Sequence, residues 1–171
     1  MNLQDLPPVE TMWEGKFVRA LRRGKWEYAS RTRDIGAVVI LAEFEGKLIL
    51  IDQPRVAPDC RCIELPAGLV GDNDPNATIE GTAIKELEEE TGFTAKSVER
   101  LGEFYSSPGM LSEGFTLVRA QGVTKVGAGG GDENEDINVH LVPRAQIANF
   151  LEQKRAEGFG MDAKLLLLLN F

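Results

Sequence analysis

The feature that most constrains this chain is a cluster of carboxylates near the end of one predicted helix. Residues 85–92 read KELEEETG, and Glu86, Glu89 and Glu90 fall on one helical face because their spacing is i, i+3 and i+4. Like charges at this spacing destabilise a helix, and the macrodipole disfavours anions near its C-terminal end. We therefore expect a divalent cation to neutralise this face, and hard oxygen ligands favour Mg²⁺ or Mn²⁺.

The predicted helix has signals at both ends. Asp74 is predicted to cap its N-terminus, with Pro75 at the first helical position, and Gly92 is predicted to end it. An apolar stripe spaced i, i+4 and i+8 lies between these ends and is formed by Ile79, Ala83 and Leu87. The carboxylate face is therefore expected beside the buried face of the helix and not on it.

Strand patterns surround this helix. Residues 16–21 and 26–31 alternate polar and apolar side chains around a turn, which predicts an N-terminal antiparallel hairpin. Residues 37–44 form a continuous apolar run, which suits a strand buried on both faces. Further strands are predicted at 47–52, 61–65, 98–105, 115–122 and 137–142, a loop at 53–60, and further helices at 143–155 and 161–169. This order predicts an α/β (α+β) fold, an α/β/α sandwich with a mixed central β-sheet.

Length and charge limit the function classes. The 171 residues suit one domain, and the net charge of −8 argues against a nucleic-acid-binding surface, although metal ions can still hold a small anionic substrate. The longest apolar run, residues 165–169, is too short to span a bilayer, and the N-terminus lacks a signal-peptide pattern. Cys60 and Cys62 suit neither a zinc site nor a disulfide, so we expect reduced thiols in a cytoplasmic protein.

The spacing within residues 71–93 resembles the Nudix box, G-x5-E-x7-R-E-U-x-E-E-x-G-U, in which U is a bulky apolar residue. The matching positions are Gly71, Glu86, Leu87, Glu89, Glu90, Gly92 and Phe93. The chain departs from the pattern at Ala77, where the box has glutamate, and at Lys85, where it has arginine. In the family these two side chains support the loop–helix–loop together, so their joint loss implies a coupled structural change. A solvated acidic helix is the alternative, and the glycine spacing and helix-end signals disfavour it.

This resemblance implies a metal site and a reaction. Nudix hydrolases cleave a nucleoside diphosphate linked to another group, and metal ions neutralise the charge that develops on the transferring phosphorus. By resemblance, Glu86 and Glu90 are metal ligands, and Glu89 is a ligand or supports one. The backbone carbonyl of Ala67 is implied as a further ligand. About two or three Mg²⁺ or Mn²⁺ ions are implied.

Residues 15–171 are similar to the ADP-ribose pyrophosphatase subfamily. Pro108 falls where that subfamily has a proline after the box, and residues 64–69 (ELPAGL) match its strand and loop before the box. Trp26, Glu27 and Arg31 resemble its adenine-stacking tryptophan, amine-reading glutamate and phosphate-contacting arginine. Further substrate contacts are implied at Arg55, Leu69, Gly109 and Glu113. Two of these assignments have plainer alternatives, since Trp26 could pack under the hairpin and Arg55 could be a surface residue.

A second acidic segment, residues 132–136 (DENED), resembles the late acidic loop of the same subfamily. Glu133 and Glu135 are its candidates for the general base that takes a proton from a metal-bound water, and Glu133 is favoured. The glycines at 127–131 predict a mobile loop that closes over substrate. The alternative is a solvated acidic loop. His140 lies in a predicted strand, where a structural role is expected.

Together these features predict a metal-dependent hydrolase of the pyrophosphate bond of ADP-ribose, giving AMP and ribose 5-phosphate. Another nucleoside diphosphate sugar, such as GDP-mannose, is the nearest alternative because Glu27 also suits guanine. A non-catalytic nucleotide-sensing module is a further alternative, which the intact glutamates disfavour. No nucleic-acid or membrane partner is expected.

The resemblance also implies a division of the chain and a partner. Residues 1–34 are predicted as a β-hairpin arm for substrate and dimer contacts, and residues 35–171 as the Nudix hydrolase domain. Members of the subfamily are homodimers whose N-terminal strands cross to the partner's site. A homodimer of that kind would bring Trp26 and Glu27 to the adenine of the neighbouring subunit.

Overall fold

The described residues, 2–33, 35–72 and 74–169 of this computed structural model, form α-helices, short 3₁₀ helices and strands. The α-helices are α1 (Ile79–Thr91) and α2 (Ile147–Ala156), and the 3₁₀ helices are Leu3–Asp5, Arg144–Gln146 and Ala163–Leu169. The strands are β1 (Glu10–Glu14), β2 (Val18–Arg23), β3 (Trp26–Arg31), β4 (Gly36–Leu41), β5 (Glu43–Phe44), β6 (Lys47–Arg55), β7 (Cys60–Glu64), β8 (Ala67–Val70), β9 (Phe93–Thr94), β10 (Ser97–Tyr105), β11 (Gly114–Gln121), β12 (Thr124–Lys125), β13 (Asn138–Pro143) and β14 (Gly160–Met161). Among these elements, no helix is long and apolar enough to cross a membrane.

Strand β4 is the centre of the core, as its apolar run predicts. It lies in a mixed sheet of order β10-β11-β4-β8, parallel to β11 and antiparallel to β8. Val38 and Ile40 pack on the side of α1, whereas Val39 and Leu41 pack on the opposite side. All four are fully or almost fully buried, so the predicted burial on both faces is confirmed for β4. The strand predicted at 37–44 is divided, because residues 43–44 form β5, which pairs with β6.

A second mixed sheet completes the layers. Its order is β13-β6-β7-β14, and β5 pairs with β6. Its apolar side chains face those of β4 across one core cluster, on which α2 and the last 3₁₀ helix also pack. Helix α1 covers the other cluster, together with Phe93. The predicted α/β/α sandwich with mixed sheets is therefore confirmed.

The predicted N-terminal hairpin is present and is part of a larger sheet. Strands β2 and β3 pair antiparallel, and β1 adds a third strand that the sequence patterns did not indicate. This sheet joins the loop at 106–113 through backbone hydrogen bonds from Ala29 N to Met110 O (2.8 Å) and from Ser112 N to Ala29 O (3.0 Å). The arm is thus attached to the loop that precedes β11.

Helix α1 begins later than predicted. Its N-cap is Thr78, whose side chain accepts a hydrogen bond from Gly81 N at 3.1 Å. Asp74 instead accepts from Asn76 N at 2.9 Å, so it stabilises a turn before the helix. Aspartate and threonine are both good N-cap residues. In this chain Asp74 stabilises the turn, and Thr78 caps the helix. The predicted end is correct, because Gly92 adopts a φ of 72° at the C-cap.

Two further predicted elements differ in the structure. Strand β6 continues to Arg55, although residues 53–60 were expected to be a loop, because Gln53, Pro54 and Arg55 pair with β7. The last predicted helix is divided, since Gly160 and Met161 pair with β7 before the 3₁₀ helix begins. Pairing with a neighbouring strand overrides the local pattern in both cases.

Candidate active site

A cavity of about 570 Å³ opens beside the N-terminal half of β8 and the carboxylate face of α1. Its described lining holds more carboxylates than cations. The carboxylates are Asp72, Glu86, Glu89, Glu90, Glu113, Asp132 and Glu135, and the cations are Arg31, Arg55, Lys85 and Lys164. The predicted box glutamates, most of the predicted substrate contacts and part of the acidic loop therefore meet in one cavity.

Glu90 is the most buried carboxylate of this cavity. Only 3% of its surface is exposed, and its Oε2 accepts a hydrogen bond from Ala67 N at 3.0 Å. Burial raises the pKa of Glu90 to about 8, and the nearby Glu86, Glu135 and Glu64 add to the rise, whereas the bond from Ala67 opposes it. A carboxyl group in this state binds a proton readily and gains much from a cation.

Glu86 lies against the backbone of β8. A Cβ atom at Gly68 would overlap the Glu86 side chain, so the glycine of the ELPAGL motif allows this close approach. The pKa of Glu86 is also raised, chiefly by burial, with Lys85 opposing the rise and Glu89 adding to it.

The two departures from the box have visible consequences. Lys85 Nζ contacts Glu89 Oε2 at 2.6 Å, an i, i+4 ion pair on the exposed side of α1. Ala77 lies in the turn before the helix, where its N–H donates to Asp74 O at 3.0 Å. Arg33, which sequence reasoning missed, fixes the start of this segment through contacts with Asp72 Oδ1 (2.5 Å) and Asp72 O (3.1 Å).

The glycine stretch at 127–131 packs against the C-terminal end of α1. Gly130 N donates to Glu90 O at 2.9 Å and Gly131 N donates to Glu89 O at 3.0 Å, so the stretch supplies partners for the last carbonyls of α1. Gly129 has a φ of 75°, and a Cβ there would overlap the Thr91 backbone. These glycines permit close packing against the helix end.

The acidic loop contributes unequally to the cavity. Asp132 and Glu135 line it, whereas Glu133 is not among its described lining residues. The Oε2 atom of Glu135 accepts from Asp132 N at 3.0 Å, which turns this side chain back over the loop. Asp132 was not among the predicted site residues, although it belongs to the same acidic run.

The predicted substrate contacts divide into two groups. Arg31, Arg55, Leu69 and Glu113 line the cavity. Trp26, Glu27 and Gly109 lie outside its described lining, and Trp26 is 40% exposed with Lys25 Nζ 4.8 Å from its ring. The structure therefore does not bring the predicted adenine-reading pair to the cavity of its own chain.

Both cavity arginines are held by carboxylates. Arg31 Nε donates to Glu113 Oε1 at 2.5 Å, and Arg55 donates to both oxygens of Glu64 at 2.7 and 2.6 Å. The pairing with Glu64 is the main cause that raises the pKa of Arg55, against the effect of burial. Two-point contacts of this kind fix the guanidinium plane, which prepares it to meet phosphate oxygens.

Lys164 is a cavity residue that sequence reasoning missed. It comes from the last 3₁₀ helix and its Nζ contacts Asp162 Oδ2 at 2.5 Å. Its local pattern, a lysine before a run of leucines, gives no sign of a site. Only the packing of the chain end against β11 and β7 brings it to the cavity.

Comparisons with known proteins agree with this geometry. The NUDIX domain family matches residues 32–162. The chain is 36% identical over 148 residues to a GDP-mannose pyrophosphatase of Enterobacter sp. (strain 638), covering 81% of this chain and 73% of that protein. It is 39% identical over 94 residues to an ADP-ribose pyrophosphatase of Bacillus subtilis (strain 168), covering 54% of this chain and 49% of that protein.

A solved structure described as an ADP compounds hydrolase superposes with a TM-score of 0.68 at 26% identity, covering 86% of this chain and 82% of that one. The chain belongs to the NUDIX domain family. Within the segment 71–93, where the sequence predicts the Nudix box, Asp72 and four residues of α1 line the cavity, namely Lys85, Glu86, Glu89 and Glu90.

Nudix enzymes generally use divalent metal ions, and the donor chemistry of this site fits one. Carboxylates outnumber cations in the lining, and burial raises the pKa values of Glu86 and Glu90, an effect that a bound cation would oppose. Within the described residues, no group of three or more His, Cys, Asp or Glu side chains is arranged closely enough to hold an ion.

Proposed function

We propose that this member of the NUDIX domain family hydrolyses the pyrophosphate bond of a nucleoside diphosphate sugar, with ADP-ribose as the first candidate substrate. Its relatives described as a GDP-mannose pyrophosphatase and an ADP-ribose pyrophosphatase support this substrate class. The observation that carries the proposal is the meeting of the box carboxylates with Arg31 and Arg55 in one cavity. Such a cavity can hold a pyrophosphate between metal-binding oxygens and fixed guanidinium groups.

The residues of the cavity have distinct roles in this reaction. Glu86, Glu89 and Glu90, with the carbonyl of Ala67, would hold about two or three Mg²⁺ ions, which would activate water and neutralise phosphoryl charge. Arg31 and Arg55 orient the phosphates, and Leu69 bounds the cavity. A carboxylate of the acidic loop, Glu133 or Glu135, accepts the proton of the attacking water.

The bond changes are those of hydrolysis. The water oxygen forms a bond to one phosphorus, and the bond from that phosphorus to the bridging oxygen breaks. The water proton passes to the loop carboxylate, and the bridging oxygen leaves with the other phosphate. Glu135 lines the cavity and Glu133 does not, which makes Glu135 the nearer of the two bases in this arrangement.

GDP-mannose is the second candidate substrate. The longer match to a GDP-mannose pyrophosphatase favours it, whereas the ADP-ribose pyrophosphatase match and the solved ADP compounds hydrolase favour an adenine nucleotide. Glu27 can accept a hydrogen bond from the adenine amino group or from the guanine N1–H and N2–H groups. The carboxylate alone does not choose between the two bases.

We also propose a cytoplasmic homodimer in which the arm, residues 1–34, reaches the partner's cavity beside the domain at 35–171. Two observations support this arrangement. Trp26 and Glu27 lie outside the cavity of their own chain. Met12, Trp13 and Phe17 of the arm are each more than half exposed, an apolar surface that a second copy could cover.

The first test measures products from four compounds, ADP-ribose, GDP-ribose, ADP-mannose and GDP-mannose, each with and without Mg²⁺. Chromatography separates AMP or GMP from the sugar phosphate. Exchanging the base and the sugar independently shows which half of the substrate the cavity reads. Mg²⁺-dependent AMP from ADP-ribose at the highest kcat/KM supports the first candidate, and GMP from GDP-mannose at the highest value replaces it with the second.

Two variants make the test specific to the site. Glu90→Gln removes a buried cavity carboxylate and is expected to lower kcat/KM by at least about 100-fold. Glu88→Gln is the matched control, because Glu88 is an exposed carboxylate of the same helix outside the cavity lining. Mg²⁺-independent products, or equal activity in both variants, would reject the proposed site. No product from any of the four compounds would reject the function.

A further inference from the structure

The acidic loop at 132–136 is anchored at its C-terminal end by one arginine from β7. Arg61 Nη1 contacts Asp136 Oδ2 at 2.6 Å, and Arg61 Nη2 donates to the backbone carbonyl of Asp136 at 2.9 Å. The guanidinium group therefore holds both the side chain and the main chain of Asp136. Asp136 directly follows Glu135, a lining residue of the cavity.

Arg61 is held in turn by the buried carboxylate of Asp52, on the neighbouring strand β6. Its Nε donates to Asp52 Oδ1 at 2.5 Å, and its Nη2 donates to Asp52 O at 3.2 Å. Asp52 is only 2% exposed, so its ion pair with Arg61 is a partly buried one. Moving the guanidinium group away would leave the buried Asp52 charge uncompensated, which is costly. The pair therefore holds Arg61 in place.

Two further side chains complete the environment of Asp52. Asn138 Nδ2 donates to Asp52 Oδ1 at 3.0 Å, and His140 Nε2 lies 2.6 Å from Asp52 Oδ2. Burial alone would raise the pKa of Asp52, but the hydrogen bonds from His140, Asn138 and Arg61 outweigh it and hold that pKa below its ordinary value. Asp52 is thus an ionised acceptor, and His140 has the structural role that the sequence predicted.

The other end of the loop is anchored independently. Gly130 N and Gly131 N donate to the carbonyls of Glu90 and Glu89 at the end of α1. The loop is therefore fixed on one side to the metal-binding helix and on the other side to β6 and β7 through Arg61. Its glutamates lie between these two anchors.

We propose that Arg61 is a positioning residue for the hydrolysis, because it fixes the end of the acidic loop so that its carboxylates face the box glutamates. The catalytic role of Arg61 rests on the proposed function, whereas its anchoring of the loop does not depend on which substrate is bound. Arg61 is absent from the described cavity lining, so it acts through Asp136 and not by touching the substrate. Lysine cannot replace it fully, since one ammonium group cannot hold Asp52 and Asp136 together in the same planar geometry.

The test compares Arg61→Gln, Arg61→Lys and Asp136→Asn with the native protein. Kinetics with ADP-ribose and GDP-mannose give kcat and KM, and amide hydrogen exchange measures protection of residues 132–136. Asp136→Asn weakens the loop anchor but keeps the buried Arg61–Asp52 pair. It therefore tests the anchor even if Arg61→Gln fails to fold. Arg119→Gln is the control, because Arg119 makes a 3.3 Å ion pair with Glu99 between β10 and β11, away from the loop.

We expect Arg61→Gln to lower kcat by about 10- to 100-fold with KM changed by less than about threefold, the size of effect seen for residues that orient catalytic groups. Exchange at 132–136 should accelerate, while exchange within α1 and the activity of Arg119→Gln stay at native values. Arg61→Lys should lie between, and Asp136→Asn should reproduce part of the effect.

Native kcat and native loop exchange in both Arg61→Gln and Asp136→Asn would overturn the inference. Slower turnover caused only by partial unfolding would also overturn it, and would appear as faster exchange throughout the chain. If the native protein hydrolyses none of the four compounds named above, the proposed function fails separately. The exchange measurement then still decides whether Arg61 anchors the loop.

Discussion

The ionised form of Glu90 is unfavourable in this fold unless a cation binds beside it. Its carboxyl group is almost inaccessible, has one hydrogen bond from Ala67 N, and is surrounded by other acids. Burial raises its pKa from an ordinary value of 4.5 to about 8. The fold therefore tolerates this residue best when it is protonated or when a cation is present.

This state predicts a pH dependence of stability without metal. Below about pH 4.5 the carboxyl group is protonated in both states and has no effect, whereas between 4.5 and about 8 the unfolded chain releases the proton and the folded protein retains it. The free energy of unfolding of the native protein should therefore fall, relative to Glu90→Gln, as pH rises through this range, and the difference should level off above it. Urea unfolding in the presence of a chelator measures both curves.

Glu88→Gln should follow the native protein in this experiment, because its side chain is exposed on the same helix. Added Mg²⁺ should stabilise the native protein at pH 8 more than Glu90→Gln, since a ligand stabilises the folded state that binds it. Parallel curves for the native protein and Glu90→Gln between pH 4.5 and 8 would contradict the assignment of a raised pKa to this residue.

Single residues also mark the limit of what the sequence could predict. The spacing of Glu86, Glu89 and Glu90 fixes their common face, because helix geometry is local. Arg61 and Asp136 are 75 positions apart, and no local pattern relates them before the sheets have formed. Lys164 reaches the cavity only through tertiary packing, for the same reason.

The two ends of helix α1 obtain their hydrogen-bond partners from different parts of the chain. Its N-terminus is capped by its own Thr78, whereas its C-terminus obtains partners from a glycine stretch far along the chain. The sequence predicted the end at Gly92 because glycine alone accepts the left-handed conformation easily. It misplaced the start because Asp74 and Thr78 are both good capping residues.

The corrected helix start predicts a difference between two alanine variants. Thr78→Ala should lower the free energy of unfolding by about 1 kcal/mol, because the exposed N–H of Gly81 loses its acceptor. Asp74→Ala should change it by less than about 0.5 kcal/mol, because its bond stabilises an exposed turn only. Chemical denaturation checks both, and a larger loss for Asp74→Ala would place the cap at Asp74 after all.

The packing of the glycine stretch predicts a second difference. Gly158→Ala should cost about 1 kcal/mol from its φ of 92° alone, because no atom lies within 4 Å of the added Cβ. Gly129→Ala combines a φ of 75° with overlap of the Thr91 backbone, so it should cost about 2 kcal/mol more. It should also weaken Mg²⁺-dependent activity, which Gly158→Ala should not.

Unfolding curves and initial rates for the two glycine variants provide this comparison. Equal destabilisation by both would show that the stretch yields easily to a side chain. Native activity in Gly129→Ala would show that the end of α1 and the acidic loop are not coupled through it.

At the scale of the whole molecule, the sheets and layers followed from the patterns, but the extent of the N-terminal arm did not. Alternating residues predicted β2 and β3, whereas β1 is exposed along its whole length and carries no such signal. Its Trp13 is 60% exposed. A second copy of the chain could cover this side chain in the proposed homodimer.

The proposed homodimer predicts complementation between two inactive variants. Trp26→Ala lacks the proposed base contact and Glu90→Gln lacks a proposed metal ligand, so each protein alone should hydrolyse the substrate poorly at low concentration. Mixed dimers would contain one site with both native residues, because the arm crosses between subunits. After subunit exchange of equal amounts, about a quarter of the native activity should return.

Light scattering on the same samples establishes whether dimers are present. Dimers without complementation would show that Trp26 serves its own chain or no substrate at all. Monomers at assay concentration would reject the crossed arm directly. A mixture of Glu88→Gln with Trp26→Ala provides the reference, because the first of these variants has complete sites.

The contact between Gly92 and residues 126–127 also orders events during folding. Gly92 O accepts hydrogen bonds from Val126 N and Gly127 N, so this attachment of the end of α1 forms only once the chain between them, which contains the β10–β11 hairpin, has closed. Closure of such a segment is slow relative to helix formation. During refolding, we therefore expect the end of α1, which carries the proposed metal-binding carboxylates, to be fixed only after this hairpin has formed, and enzymatic turnover to return later than helical structure.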